Sequence, residues 1–141
     1  MSRLSIPVEE FTTPNPITAP ESATVDELTE LMRANEIRHV PIVRDSQVVG
    51  IVSERDLRVA STLSRFEKTQ VLAADLMVPH PVTVSSATPL DEVAAEMVHS
   101  KIGSVIVNDE DNQMLGIFTI TDALNALFEL VRFSFADNEK D

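Results

Sequence analysis

The chain has 141 residues, 43% of them apolar, which is one-domain size with enough aliphatic material for a compact core. Six Phe with no Trp or Tyr leave no aromatic platform for stacking the bases of a single strand, and a formal charge of -12 repels phosphate backbones and anionic membrane surfaces, so nucleic acid is not an expected partner. The absence of Cys removes disulfides, thiolate metal sites and cysteine nucleophiles together.

The first ten residues, MSRLSIPVEE, contain no apolar run of signal-peptide length. No segment approaches the roughly 20 apolar residues of a membrane span, so a cytoplasmic protein without membrane insertion is expected. PNPITA (14–19) reads as a short extended piece, held out of the helical region by its prolines and β-branched residues. A helix follows, with Thr24 as cap, Glu27 three residues on, and Val25, Leu28, Leu31 and Met32 along one face. HVPIVR and QVVGIVS then form a hairpin through Asp45 and Ser46, and a second helix is expected over about residues 54–66.

The same order returns. PHPVTV (79–84) is extended, Thr88 and Pro89 suit the N-cap and first turn of a helix striped by Leu90, Val93, Ala94 and Met97, and SVIVN and MLGIFT pair through DEDNQ. A last helix is expected over about residues 120–133, with a frayed tail at 135–141.

This is an internal repeat. At an offset of 65, Pro14, Pro16, Thr18, Asp26, Glu27, Met32, Ile37 and Val40 match Pro79, Pro81, Thr83, Asp91, Glu92, Met97, Ile102 and Val105. After one inserted residue, Gly50, Ile51 and Asp56 match Gly116, Ile117 and Asp122. The expected fold is α+β, a β-α-β-β-α unit used twice with approximate two-fold symmetry. Residues 1–70 hold the first motif with an N-terminal segment and linker, and 71–134 hold the second. A lone three-stranded unit of this size is marginal, so two copies must cover each other.

Ser53-Glu54-Arg55-Asp56 and Thr119-Ile120-Thr121-Asp122 have the spacing of a helix capping box. Thr24–Glu27 and Thr88–Asp91 share that spacing, so spacing alone establishes no site. What distinguishes the later pair is a glycine three residues before the hydroxyl, Gly50 or Gly116, where a missing Cβ allows a bulge or close approach by a ligand. A strand ending in Ser or Thr and entering a helix offers donors to phosphate, and an Asp three residues on can accept from a ribose diol. The arrangement favours a nucleotide.

The whole pattern, P-x-P-[IV]-T, D-E-[LV], an apolar strand pair and G-I-[VF]-[ST]-x-x-D, resembles the CBS motif, and two in tandem resemble a CBS pair, or Bateman module, over residues 11–130. The resemblance implies a stand-alone regulatory module that senses adenine nucleotides in the cleft between motifs and modulates a partner enzyme or transporter. Carried over by position, one site would use Ile17, Thr18, Val40, Pro41, Ser53 and Asp56, and the other Val82, Thr83, Val105, Ile106, Thr119 and Asp122. The ligand would be AMP, ADP or ATP, or S-adenosylmethionine, with no obligatory cofactor. Family resemblance also implies a homodimer, to which Val59, Leu63, Leu124, Leu127 and Phe128 could contribute unless they are internal core. The alternative is a constitutive dimerising scaffold with no bound nucleotide.

Eight of the eleven basic residues lie in residues 1–70, which carry a net charge of -3. Arg38 and His39 stand where the second copy has Gly103 and Ser104, and Arg55 where it has Thr121. Unequal sites are therefore expected, with phosphate charge gathered near Arg38, His39 and Arg55; Arg58 is a weaker candidate for that role. His39, His80 and His99 lack metal-ligand spacing, and Asp109-Glu110-Asp111 reads as a solvated turn. No nucleophile and base pair is signalled, so catalysis is not expected.

Overall fold

The computed structural model describes residues 5–139, with side chains described as far as Phe133. The chain divides into two compact units, one of residues 16–81 and one of residues 1–15 with 82–141. The division at 70/71 follows the repeat. The compact units follow packing, because each short segment preceding a motif joins the sheet of the other.

In the continuous unit, β2 (Ala19–Pro20) lies parallel to β3 (His39–Arg44), which pairs antiparallel with β4 (Gln47–Ser53), and β4 with β5 (Val78–Pro79). The β3–β4 turn is made by Asp45 and Ser46, both at positive φ (49° and 66°), the backbone that a two-residue hairpin twisted like its strands requires. Helix α1 (Val25–Asn35) starts at Thr24, whose Oγ1 accepts from Glu27 N at 3.1 Å, and ends at left-handed Glu36. Its apolar stripe buries Val25, Leu28 and Met32 against Val40, Ile42 and Val52.

Helix α2 (Glu54–Ala60) is shorter than expected. Ser61 and Thr62 turn their hydroxyls onto the carbonyls of Arg58 and Val59, and Ser64 opens a new capping box with Glu67, so α3 (Arg65–Gln70) begins as a separate helix. A four-residue turn, α4 (Ala73–Leu76), leads into β5.

The second unit repeats the topology. β6 (Thr83–Ser85) is parallel to β7 (Ser104–Asn108), which pairs antiparallel with β8 (Met114–Thr119), and β8 pairs with β1 (Thr13–Pro14). Helix α5 (Leu90–Ser100) has Pro89 at its N-cap position and no side-chain cap bond, while the Thr88 hydroxyl lies 3.2 Å from Ser85 Oγ. Helix α6 (Ile120–Glu139) runs six residues past the expected end and takes in most of the tail expected to fray; residues 140 and 141 lie outside the described residues. The acidic run folds as a turn in which Asp109 Oδ1 accepts from Asp111 N and Gln113 N.

PNPITA and PHPVTV are not single extended pieces. Asn15 and His80, each between two prolines, take left-handed φ of 49° and 52°, and the halves on either side join different sheets. Asn and His are among the residues that tolerate this region best. The core of the second unit is Val93, Met97, Val105, Val107 and Phe118, closed by Val8 from a 3-10 turn at Val8–Phe11.

Candidate functional site

Both repeated hydroxyl–carboxylate pairs close capping boxes. Asp56 Oδ2 accepts from Ser53 N and Ser53 Oγ, each at 2.9 Å, while Asp56 N donates to Ser53 Oγ at 3.2 Å. Asp122 Oδ2 accepts from Thr119 N at 2.9 Å and Thr119 Oγ1 at 3.1 Å. The capping role read from the spacing is thus realised at both positions. The two acids differ in their second oxygen. Asp56 Oδ1 accepts nothing among the described residues, whereas Asp122 Oδ1 accepts from Thr13 Oγ1 at 2.9 Å.

The glycines before these boxes admit protein. A Cβ at Gly50 would overlap Met77, lying 2.7 Å from its Cγ, and one at Gly116 would overlap the Thr13 carbonyl and lie 2.7 Å from Thr12 Cγ2. The close approach read from Gly50 and Gly116 is that of the chain's own β5 and β1 segments, paired there as Gly50 with Pro79 and Gly116 with Pro14.

Of the apolar candidates, Val40 and Val105 are fully buried in the helix-packed cores. Pro41 and Ile106 follow them in β3 and β7 and, by strand alternation, point to the opposite sheet face, where they too are buried. Ile17 is exposed and Thr18 half-buried just ahead of β2; Val82 is half-buried ahead of β6, and exposed Thr83 opens that strand opposite Ile106.

The basic candidates separate. Arg38 is exposed and lies 3.5 Å from Glu54, which Arg58 approaches from the other side at 3.6 Å. Both line a groove of about 550 Å³ between α1 and α2, floored by Met32, Ile37 and Leu57. Arg55 is exposed and makes no ion pair among the described residues. His39 stands across the hairpin from Ser53. Burial holds its proton affinity below the usual value of 6.5, with Arg38 pushing the same way and the Asp56 and Glu54 carboxylates opposing. The lowered affinity favours the uncharged imidazole, a hydrogen-bonding group, near neutral pH.

A histidine that binds its proton less readily folded than unfolded contributes stability above its unfolded value, and that contribution is lost as pH falls from there through the lowered folded value. Melting temperature should fall more steeply between about pH 7.5 and 5.5 in the wild-type chain than in His39→Gln, measured by thermal scans. Equal slopes would show that His39 does not carry the effect.

The CBS domain family model matches residues 8–62 and 73–129. The chain belongs to the CBS domain family. It carries the tandem CBS pair, and solved CBS-pair structures share its fold. A Vibrio cholerae protein assigned to acetoin utilization (AcuB) is 31% identical, with 94% of this chain and 98% of that one covered at a TM-score of 0.82. CBSX2 of Arabidopsis thaliana, crystallised with AMP, is 27% identical, with 88% and 97% covered at 0.75. A CBS domain pair crystallised with 5′-methylthioadenosine and S-adenosyl-L-methionine is also 27% identical, with 89% and 98% covered at 0.77. Among curated relatives the chain spans 81% of a Dictyostelium discoideum CBS domain-containing protein, 58% of chloroplastic CBSX1 and 22% of an inosine-5′-monophosphate dehydrogenase.

No helix among the described residues is long and apolar enough to cross a membrane. Sequence reasoning missed the neighbours of the repeated boxes, Thr13 beside Asp122, Thr12 beside Gly116 and Met77 beside Gly50. Extending the repeat two residues upstream of Pro14 and Pro79 would have placed Thr12 and Thr13 opposite Met77 and Val78.

Proposed function

We propose that the chain is a regulatory module that binds an adenosine-containing ligand and biases a partner protein through it. The observation that carries this reading is the open Oδ1 of Asp56, next to Ser53 at the strand-to-helix junction and beside His39 and exposed Arg55. A carboxylate with a free oxygen suits a vicinal diol, and a structural cap needs only the other one. The complexes of CBSX2 with AMP and of a related pair with S-adenosyl-L-methionine support the adenosyl class. AMP, ADP and ATP are the nucleotides to be distinguished, and the partner is an enzyme or transporter.

A homodimer fits the exposed apolar face of α6, which carries Leu124, Leu127 and Phe128, with Val59 exposed on α2; Leu63 instead packs on its own core. That face, together with the purely structural use that each cap makes of its aspartate, favours a second reading, a dimerising scaffold that binds no nucleotide. Calorimetric titration of the full chain with AMP, ADP, ATP and S-adenosylmethionine separates the two. The sensor reading expects binding of at least one ligand, weakened about tenfold or more by Asp56→Ala through loss of charge-assisted bonds. Absence of heat with all four supports the scaffold.

A further inference from the structure

We infer that Thr13 is a built-in competitor for the diol site of the second motif, so that Asp56 and Asp122 grip a ribose unequally. The inference rests on the adenosyl-binding reading above and concerns which of the two sites fills. An ionised carboxylate has about four lone-pair positions, and a ribose diol needs two of them. Asp56 has given two to Ser53, both on Oδ2, and keeps Oδ1 whole. Asp122 has given two to Thr119 and a third to Thr13, which leaves one. The second hydroxyl of a sugar can be received there only if Thr13 lets go.

Thr13 is held in place by backbone. It pairs with Ile117 in β8 while Pro14 pairs with Gly116, where the missing Cβ lets the Thr13 carbonyl close in. The other unit builds the same strand crossing with Val78 opposite Ile51 and Pro79 opposite Gly50. Val78 therefore stands where Thr13 stands and has no hydroxyl to offer. One side-chain oxygen in a repeated framework distinguishes an open carboxylate from an occupied one, independently of the basic residues that also differ between the copies.

The test is calorimetric titration of the full chain with AMP and, separately, S-adenosylmethionine. Asp122→Ala isolates the first site and Asp56→Ala the second; Thr13→Val is made alone and with Asp56→Ala. The swap keeps the shape of Thr13 and copies Val78 of the other unit. We expect the Asp56→Ala chain to bind about tenfold or more weakly than Asp122→Ala, as one charge-assisted bond dictates, and Thr13→Val to restore about that factor. In the otherwise wild-type chain, Thr13→Val should raise the number of tight sites from one to two, a readout that stands even if Asp56→Ala fails to fold. Equal affinity at the two sites, or Thr13→Val leaving the second unchanged or weaker, overturns the inference while the adenosyl-binding reading survives. Absence of heat in every chain, wild type included, overturns both.

Discussion

Replacing Val8 with Asp is expected to unfold the unit built on the second motif. Val8 is fully buried among Val93, Met97, Val105, Val107 and Phe118, although it comes from the opposite end of the sequence. Its segment is fastened by backbone as well: Val8 N donates to Thr88 O at 2.8 Å, Leu90 N donates to Ile6 O at 2.7 Å, and Pro7 bridges Pro89. Removing the valine costs about 1.5–3 kcal/mol of transfer free energy, which is the effect expected of Val8→Ala. An unpaired carboxylate in its place adds several kcal/mol more. Together these approach the whole stability of a small domain, about 5–15 kcal/mol. Hydrogen exchange should show β7 and β8 losing protection while β3 and β4 keep theirs; a Val8→Asp chain with wild-type protection in β7 would refute the packing argument.

Alanine at Gly116 is expected to be markedly more damaging than alanine at Gly50, although the two glycines occupy equivalent places in the repeat. At Gly116 the new methyl would overlap the carbonyl of Thr13, and backbone cannot step aside without giving up the β1–β8 pairing. At Gly50 it would overlap the side chain of Met77, which is long and can swing away in part. Overpacking of this kind costs about 1–3 kcal/mol, so Gly50→Ala should fall near the lower figure and Gly116→Ala at or above the upper. Urea denaturation of the two variants decides it, and equal midpoints would contradict the distinction between yielding side chain and unyielding backbone.

The repeat, both hairpins to the residue, and the stripes of α1 and α5 were legible in the amino-acid order, because alternation and helical spacing are local properties that tertiary contacts reinforced. The end of the first motif was not: Ser61, Thr62 and Ser64 offer their own hydrogen bonds and divide what the apolar spacing joined. PNPITA and PHPVTV misled for a related reason, since proline discourages a helix without saying whether the chain goes straight or turns at Asn15 and His80. At the site, the hydroxyl–carboxylate boxes could be read from spacing. The Thr13 bond to Asp122 could not, because it joins positions that only the β1–β8 pairing brings together. Arg38 and Arg58 were read together as phosphate candidates, but that both approach the same carboxylate, Glu54, was not legible.

The two units also differ in the order in which ribosomal synthesis can complete them. Residues 16–81 contain every strand and helix of their own unit, so this stretch can close once it has emerged. The segment before it must wait: Val8 meets Thr88 and Val93 only after 80 or more further residues have been made, and Thr13 meets Ile117 only after 104. Closing so long a loop is slow relative to local pairing, so maturation of the unit that contains Asp122 is governed by the recapture of residues 5–14.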